Sequence, residues 1–195
     1  MHWDRLFEDL EGQLAAEWEA ERAVLDAESE RLRIAKLALR TRLRVFEKSD
    51  APIALRLCSG EQHRVRLRAV GADWIAAQTG GPGALIVPLA AVTGIQVDHG
   101  ALLDSLDEDA PVDGGLRERM TFGFLLRDLA RRRAPLQLAL RDGEQLHGTV
   151  DRAAGDHIDL AVHDAGEPRR ARAVRAFRII PQQAIIWMRT LQPTL

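Results

Sequence analysis

The chain has 195 residues with 27 basic and 29 acidic side chains, so it lacks the strongly basic composition of many nucleic-acid-binding proteins, although a local basic surface stays open. No segment approaches the ~20 consecutive apolar residues that cross a bilayer, and the N-terminus has no basic segment followed by an apolar one, so we expect a soluble, cytoplasmic protein without membrane contact. The single cysteine, Cys58, cannot form an intrachain disulfide, which suits a reducing compartment.

Residues 1–46 are predicted to form an N-terminal helical arm, because this segment has no proline and only one glycine, Gly12. A break of the helix near Gly12 is left open. Apolar residues recur along it at helical spacing. The predicted partner-binding side chains are Trp3, Leu6, Phe7, Leu10, Leu14 and Trp18. A row with one apolar residue every seventh position continues as Trp18, Leu25, Leu32, Leu39 and Phe46.

The companion positions of that row, Glu21, Glu28 and Arg42, are charged where a coiled coil needs a second apolar row. We therefore favour packing against a β-barrel or a sister subunit over a free-standing coiled coil. Acidic residues dominate the first half of the helix and basic residues the second, which complements the helix dipole. The same charge order could also serve a bipolar arm that docks on a basic surface.

The rest of the chain contains one β pattern twice. Residues 51–62 align with 134–145 without a gap, an offset of 83 (51 to 134), and Asp73 falls on Asp156 in the same register. Further on, Pro88 falls on Pro181, an offset of 93 (88 to 181), so the second copy has a longer middle loop. Alternating apolar residues and Gly-containing turns predict five short strands in each copy.

We therefore predict an α+β protein, mainly β with helices, with two small five-stranded β-barrels, each preceded by a helix. The first barrel spans 51–97, a linker spans 98–116, and a helix with the second barrel spans 117–190. The predicted core consists of Ile53, Leu55, Leu57, Val65, Leu67, Ile75, Leu136, Leu138, Leu140, Val150, Ile158, Leu160 and Ile185.

A family resemblance rests on a helix that ends in Arg131-Arg-Arg133, the pattern Pro-Leu-x-Leu-x-Leu-x-x-Gly-x-x-Leu-x-Gly from Pro135 to Gly148, and a closing Pro-x-x-Ala-Ile from Pro181 to Ile185. This arrangement is similar to the Sm-like family of small β-barrels, including its bacterial RNA chaperones, over residues 122–190 and more weakly over 37–97. The resemblance implies a bent five-stranded barrel under a helix, with barrels joined edge to edge into rings. The opening Trp3-Asp-Arg-Leu-Phe7 also resembles the start of a group of actinobacterial proteins, which implies no mechanism.

The resemblance also implies RNA contacts. Arginines on the family's rim fall on Arg131 and Arg133, the base-stacking pair on His157 and Ile158, and the closing Lys-His pair on Gln182 and Gln183. In the first copy only Trp74 could stack on a base. If the middle loop of the second copy lies beside the helix end, as the family topology implies, the arginines form an anion-binding patch. The predicted nucleic-acid-binding set is Arg131, Arg132, Arg133, Arg169, Arg170, Arg172, Arg175, Arg178 and Trp74.

The sequence gives little evidence for metal binding or catalysis. His157, Asp159 and His163 share one face of a predicted strand, but polar residues opposite a core are expected there, so we predict no metal and no cofactor. No serine or cysteine has a local base, so we expect no enzyme. Two hypotheses remain: an Sm-like protein whose arginine patch contacts RNA phosphates, and an oligomeric protein-interaction scaffold that recruits partners through the N-terminal helix. We expect a homo-oligomer, whether a three-chain ring or a dimer through the first helix, although pairing of the two barrels within a monomer is also open.

Overall fold

The computed structural model describes residues 2–106, 115–165 and 169–190, with the side chains of residues 2–10 and of Arg117 excepted. The chain divides into a helical unit, residues 1–39, and a compact β body, residues 40–195. In the described part of the chain, no helix has the length and apolar character needed to cross a membrane.

The helical unit consists mainly of α1 (His2–Lys36), which is one uninterrupted helix of 35 residues. The helix continues through Gly12, because a single glycine costs only about 1 kcal/mol among strong helix formers. The helix ends instead near Leu37, whose amide donates to the carbonyl of Ile34 at 3.0 Å. That three-residue spacing is the tight turn with which many helices end.

The β body begins with α2 (Leu39–Lys48), followed by five strands. These strands are β1 (Pro52–Leu57), β2 (Gln62–Val70), β3 (Trp74–Gln78), β4 (Ala84–Pro88) and β5 (Val92–Gln96). Further helices come next, and then the second set of strands. The later helices are α3 (His99–Asp104), α4 (Leu116–Arg119) and α5 (Phe122–Arg132), and the later strands are β6 (Pro135–Leu140), β7 (Gln145–Ala153), β8 (His157–Val162), β9 (Ala176–Pro181) and β10 (Ile185–Thr190). We call β1–β5 the first β unit and β6–β10 the second.

All ten strands belong to one antiparallel sheet with the order β5-β1-β2-β3-β4-β10-β6-β7-β8-β9. The sheet is not closed, so β5 and β9 are its edge strands. The two closed barrels that the sequence predicts are not seen; the two units form one open sheet, joined by pairing of β4 with β10, and pairing within the chain is one of the arrangements that the sequence leaves open. An edge strand with unpaired amides and carbonyls is satisfied by such pairing, which explains why the units do not stay separate.

The repeat extends to the strand registers. The β2–β3 ladder shifts register between Leu67 and Ala69, and the β7–β8 ladder shifts between Val150 and Arg152, the same positions at the offset of 83. The pairing of β1 with β5 and that of β6 with β10 also carry register shifts at matching residues. Such bulges bend a strand and increase its twist, so both units bend at the same places.

Two apolar clusters form the core of the β body. One holds α5 and the second unit together with Trp74 and Ile86 of the first, and the other holds α2 and the first unit together with Ile186 and Trp187 of the second. Every predicted core residue is buried, as expected for alternating strands with one dry face. Because each cluster takes side chains from both units, the two units are packed as one body.

The predicted linker contains a short helix that the composition does not indicate. Asp98 caps α3 by accepting a hydrogen bond from the amide of Ala101 at 2.9 Å, which is the usual role of an N-terminal aspartate. Residues 107–114 lie outside the described part of the chain. The predicted helix after the linker is divided into α4 and α5, and Thr121 caps the start of α5 with a hydrogen bond from the amide of Phe124.

Candidate functional site

Arginines at the end of α5 pair with the helix itself. Arg131 and Arg132 both reach Asp128, one turn earlier, and the Arg132 Nε lies 2.7 Å from an Asp128 oxygen. Arg133 follows in the left-handed conformation with φ 50°, and its amide closes the helix on the carbonyl of Ala130. The basic tripeptide therefore supplies two intrahelical ion pairs and a helix end.

Arginines of the second unit's middle loop and edge strand also pair with carboxylates. Arg169 donates from Nε to Asp151 Oδ1 at 2.5 Å, and these hydrogen bonds hold the pKa of Asp151 below its ordinary value. Arg178 lies 2.8 Å from Glu144, whose hydrogen bonds raise the pKa of the guanidinium. Arg175 pairs with Asp164. Each of these carboxylates reduces the positive charge that would attract a phosphate group.

Three arginines of the predicted set have no side-chain hydrogen bond or ion pair to the described residues: Arg133, Arg170 and Arg172. Arg172 lies in the short 3-10 turn Ala171–Ala173, and Arg170 immediately precedes it. The predicted patch is thus partly neutralised by carboxylates and partly available to an anion.

Some of these arginines converge on one shallow site, which we call the arginine depression. It is lined by Arg133, Asp151, Arg152, Asp159, Arg169, Phe177, Arg178 and Ile179. Arg152, whose side chain is 85% exposed and lies 3.6 Å from Asp159, is not among the residues that the sequence predicts. Arg131, Arg132, Arg170, Arg172 and Arg175 do not line the depression.

A second cavity of about 200 Å³ lies where α5 packs on the first unit. Its lining is largely apolar, with Trp74, Ala76 and Ile86 from the strands and Leu125 and Leu129 from the helix. Three charged side chains also line it, Arg68, Asp128 and Arg132. We call the strand side of this cavity, formed by Ala69, Trp74, Ala76 and Ile86, the wall.

Trp74 is part of that wall and is only 2% exposed. Its Nε1 donates to the carbonyl oxygen of Met120 at 2.8 Å, which satisfies the indole in the interior as a buried tryptophan requires. The prediction that Trp74 stacks on a base is wrong, because the ring is buried in the core and cannot contact a base.

The histidines of β8 and its end have structural partners. His163 is buried, and its ring contacts the Thr149 hydroxyl at 2.9 Å and the Asp164 carbonyl at 3.0 Å. His157 contacts Asp156 at 2.7 Å, and this hydrogen bond lowers the pKa of the aspartate. Among the described residues, no cluster of three or more His, Cys, Asp or Glu side chains is arranged to hold a metal ion.

The helical unit has an exposed apolar row. Trp18 is 71% exposed and Leu25 69%, with Leu14 and Leu32 also exposed. The side chains of the other predicted partner-binding residues, Trp3, Leu6, Phe7 and Leu10, lie outside the described set.

Sequence reasoning misses the apolar side chains of the free edge strand β9. Phe177 is 66% exposed and Ile179 75% exposed. Their alternation with Arg178 and Ile180 is visible in the sequence, but the pattern alone does not say that β9 lies at a sheet edge.

Comparison with known proteins adds no family. No family model matches the chain, and no curated protein matches it significantly.

Proposed function

We propose that this protein is a non-enzymatic Sm-like scaffold, with the β body as its platform and α1 as the helix that recruits a partner. The observation that carries the proposal is the exposed row of Trp18, Leu25 and Leu32 on a helix of 35 residues. Large apolar side chains exposed along one face of a long helix mark a surface for binding another protein segment. Covering such an exposed apolar stripe with another helix is favourable, because it removes apolar surface from water.

Support for the Sm-like part comes from the β body. Each unit has five antiparallel strands, is preceded by a helix and bends at a register shift in its second strand. These features agree with the family resemblance in residues 37–97 and 122–190, and a barrel-like bend of each unit is part of the proposal.

The charges of α1 specify the partner further. Glu17, Glu19 and Glu21 lie in its first half, and Arg31, Arg33 and Lys36 lie in its second. Two of the late arginines already pair one turn back, Arg31 with Glu28 and Arg33 with Glu30. A partner helix that runs antiparallel and has the same order of charges would place opposite charges together, which favours one orientation.

The test is a full-length variant with Trp18→Glu, Leu25→Glu and Leu32→Glu, in which the apolar row is charged. Its matched control is Ala20→Glu with Ala27→Glu, which adds charge on the opposite face of the same helix. A partner captured from the native cell is identified, purified and titrated against each form by calorimetry. We expect the first variant to lose at least about tenfold in affinity, or about 1.4 kcal/mol, and the control to match wild type. Equal affinity for all three forms would refute the proposal.

A second candidate function, RNA binding, is favoured by one observation. Among the described residues, Arg133, Arg152, Arg169 and Arg178 line the arginine depression together with two aspartates and two apolar side chains. Guanidinium groups bind phosphate oxygens bidentately, and a single strand could follow such a surface without base selectivity.

Salt dependence tests this candidate. If four phosphates are bound, the log-log slope of affinity against salt for single-stranded RNA should be about −3. The variant Arg133→Ala with Arg152→Ala should reduce the slope, since each lost phosphate contact removes about 0.7. A slope near zero, or an unchanged slope in the variant, would remove RNA from consideration.

A further inference from the structure

The cavity between α5 and the first unit has an apolar interior. Trp74 and Ile86 of the wall are each 2% exposed, and Leu129 of α5 is 3% exposed. Its volume is about 200 Å³, whereas an apolar cavity of about 150 Å³ already stays free of water and takes up benzene. The space is therefore large enough for the apolar body of a small organic molecule.

Small side chains create this space. Ala69 and Ala76 lie opposite one another in the β2–β3 ladder, and Ala84, at the start of β4, lines the same cavity. At the offsets of 83 and 93, the corresponding residues of the second unit are large: Arg152, Asp159 and Phe177. The backbone plan thus does not require alanine at these positions. Because larger apolar side chains would fill the cavity and stabilise the fold, the retained space favours an occupant.

Hydrogen bonds hold the start of α5 at a fixed distance from the wall. The amide of Phe122 donates to Asp73 Oδ1 at 2.6 Å. The carbonyl oxygen of Met120 accepts from the Ala72 amide at 3.0 Å and from Trp74 Nε1 at 2.8 Å. Because these contacts fix the helix and the indole ring together, α5 cannot settle onto the alanines and close the cavity. The site is preformed, as most small-molecule sites are.

Charged side chains line the cavity beside this apolar interior. Arg132 and Asp128 come from the last turns of α5, and Arg68 comes from β2. Asp128 is shared by two arginines, Arg131 and Arg132, the latter at 2.7 Å from its Nε. Within the described part of the chain, the terminal nitrogens of Arg132 donate no hydrogen bond. One carboxylate for two guanidinium groups leaves a surplus positive charge at this end of α5.

The same ratio of charges occurs around Arg68. Asp50 pairs with two arginines, Arg66 at 2.9 Å and Arg68 at 2.8 Å. A further partner of Arg68 is the neutral side-chain oxygen of Gln78, which accepts from Nε at 3.0 Å and from a terminal nitrogen at 2.7 Å. A second surplus positive charge therefore belongs to the residues that line the cavity.

We propose that this cavity binds an apolar monocarboxylate, with the hydrocarbon body between the wall and α5 and the carboxylate on Arg132 and Arg68. A carboxylate complements the surplus positive charge and accepts two parallel hydrogen bonds from one guanidinium group. The hydrocarbon leaves water when it enters an apolar, preformed space. Octanoate and phenylpropionate are members of this class with an apolar body larger than benzene or similar to it.

This site is distinct from the surfaces discussed above. Among the described residues, the cavity and the arginine depression share no lining side chain. All residues that line the cavity belong to the β body, whereas the exposed apolar row belongs to α1. Ligand binding here is therefore a further function, independent of both RNA binding and recruitment of a partner helix.

Calorimetric titration of the full-length protein tests the ligand class. Octanoate should bind saturably, with one molecule per chain. Octanol has a hydrocarbon chain of the same length without the charge and should bind at least about tenfold more weakly. Acetate has the charge without the apolar body and should give no binding heat. If octanoate does not bind, or if octanoate and octanol bind equally well, the proposal is overturned.

Filling the cavity tests the place of binding. Ala76→Leu puts additional methyl groups into the space, so it should abolish octanoate binding while the midpoint of thermal unfolding stays at the wild-type value or rises. Ala84→Leu fills the same space from β4 and gives an independent measurement. The matched control is Ala90→Leu, since Ala90 is exposed, and it should leave the affinity unchanged. Full affinity in both filled variants would place the ligand elsewhere and refute the site.

Matched arginine variants test the carboxylate contact. Arg131 and Arg132 both pair with Asp128, and Arg66 and Arg68 both pair with Asp50, but among the described residues only the second member of each pair lines the cavity. Arg132→Gln and Arg68→Gln should each weaken octanoate binding at least about fivefold and leave octanol binding unchanged. The controls Arg131→Gln and Arg66→Gln should change octanoate affinity by less than about twofold. Equal losses within each pair would contradict a bound carboxylate.

Fluorine NMR locates the ligand directly. In protein labelled with fluorotryptophan, the Trp74 signal, assigned by its loss in Trp74→Phe, should shift as octanoate saturates the protein. The signal of Trp18, which lies in the exposed apolar row of α1, should stay unchanged. A shift of the Trp18 signal alone would assign octanoate to α1 and overturn the proposal.

The end of the chain provides the last control. Thr190 lines the cavity, and residues 191–195 follow it outside the described part of the chain. A chain that ends at Thr190 should bind octanoate with the affinity of the full-length protein. Binding that occurs only after this truncation would assign the cavity to the chain's own end, and the proposed ligand would then be wrong.

Discussion

The two β units have one backbone plan and different surfaces. In the first unit the wall contains Ala69, Trp74 and Ala76, and α5 covers it. In the second unit the same positions hold Arg152, His157 and Asp159, and these side chains remain partly or largely accessible. The difference reflects exposure to solvent, because an apolar side chain stabilises the fold only where another element removes it from water. Repetition has thus preserved strand order and bulges while the side chains adapted to what covers them.

The largest expected effect is the loss of stability when a buried leucine at a position common to both units is truncated. Leu43 of α2 and Leu126 of α5 occupy matching positions and are both fully buried. Either Leu→Ala change should lower the free energy of unfolding by about 2 to 5 kcal/mol. Urea unfolding of each variant should show one transition, because both clusters take side chains from both units.

Leu116→Ala is the control for this pair, since Leu116 is largely exposed and should change stability by less than about 0.5 kcal/mol. Two separate transitions, with one variant affecting only the first and the other only the second, would contradict the view of one packed body.

A smaller effect is expected where the two units differ in backbone packing. Gly148 of β7 corresponds to Val65 of β2. A Cβ at Gly148 would lie 2.4 Å from the carbonyl oxygen of Ala161, so the neighbouring strand would have to move. Gly148→Ala should therefore destabilise the protein by about 1 to 3 kcal/mol, as measured by thermal and urea unfolding.

Gly155→Ala provides the comparison, because a Cβ at that position would meet no other part of the chain within 4 Å. If both glycine variants were equally stable, close approach of β7 and β8 would not explain the glycine.

The smallest expected effect concerns the ion pairs of the second unit. The hydrogen bonds from Arg169 lower the pKa of Asp151 in the folded protein, so this pair stabilises the fold above the unfolded-state pKa of the aspartate. Its contribution is lost as the pH falls through the lowered pKa of the folded state. Asp151→Asn should cost about 0.2 to 1 kcal/mol at neutral pH, and the difference from wild type should shrink as unfolding is measured at increasingly acidic pH. A difference that grows in acid would contradict the pairing.

Much of the fold could be predicted because alternation and turn residues are local. Patterns within a few residues indicate the strands of both units and their buried residues. The repeat at offsets of 83 and 93 then follows from comparison of the two segments. The end of α1 could not be predicted at Leu37, since the sequence there contains neither proline nor glycine. The sequence leaves pairing of the two units within one chain as one of several arrangements, because an edge strand and a central strand can have the same alternation.

The candidate site was predicted less well for a related reason. The arginines are visible in the sequence, but their carboxylate partners are distant along the chain, as with Arg178 and Glu144 or Arg169 and Asp151. The burial of Trp74 could not be predicted, because nothing in its strand indicates that α5 covers it. Side chains that are defined by tertiary contacts need the fold before their roles can be assigned.

Hydrogen exchange of the backbone amides in β4 and β10 tests the central claim most directly, since the pairing of these strands joins the two β units into one body. The paired amides of Ala84–Pro88 and Ile185–Thr190 should be as strongly protected as those of β2 and β7 at every protein concentration, because the pairing lies within one chain. Fast exchange of β4 and β10 while the other central strands stay protected would show that the two units open from one another, and the account of one packed body would then be wrong.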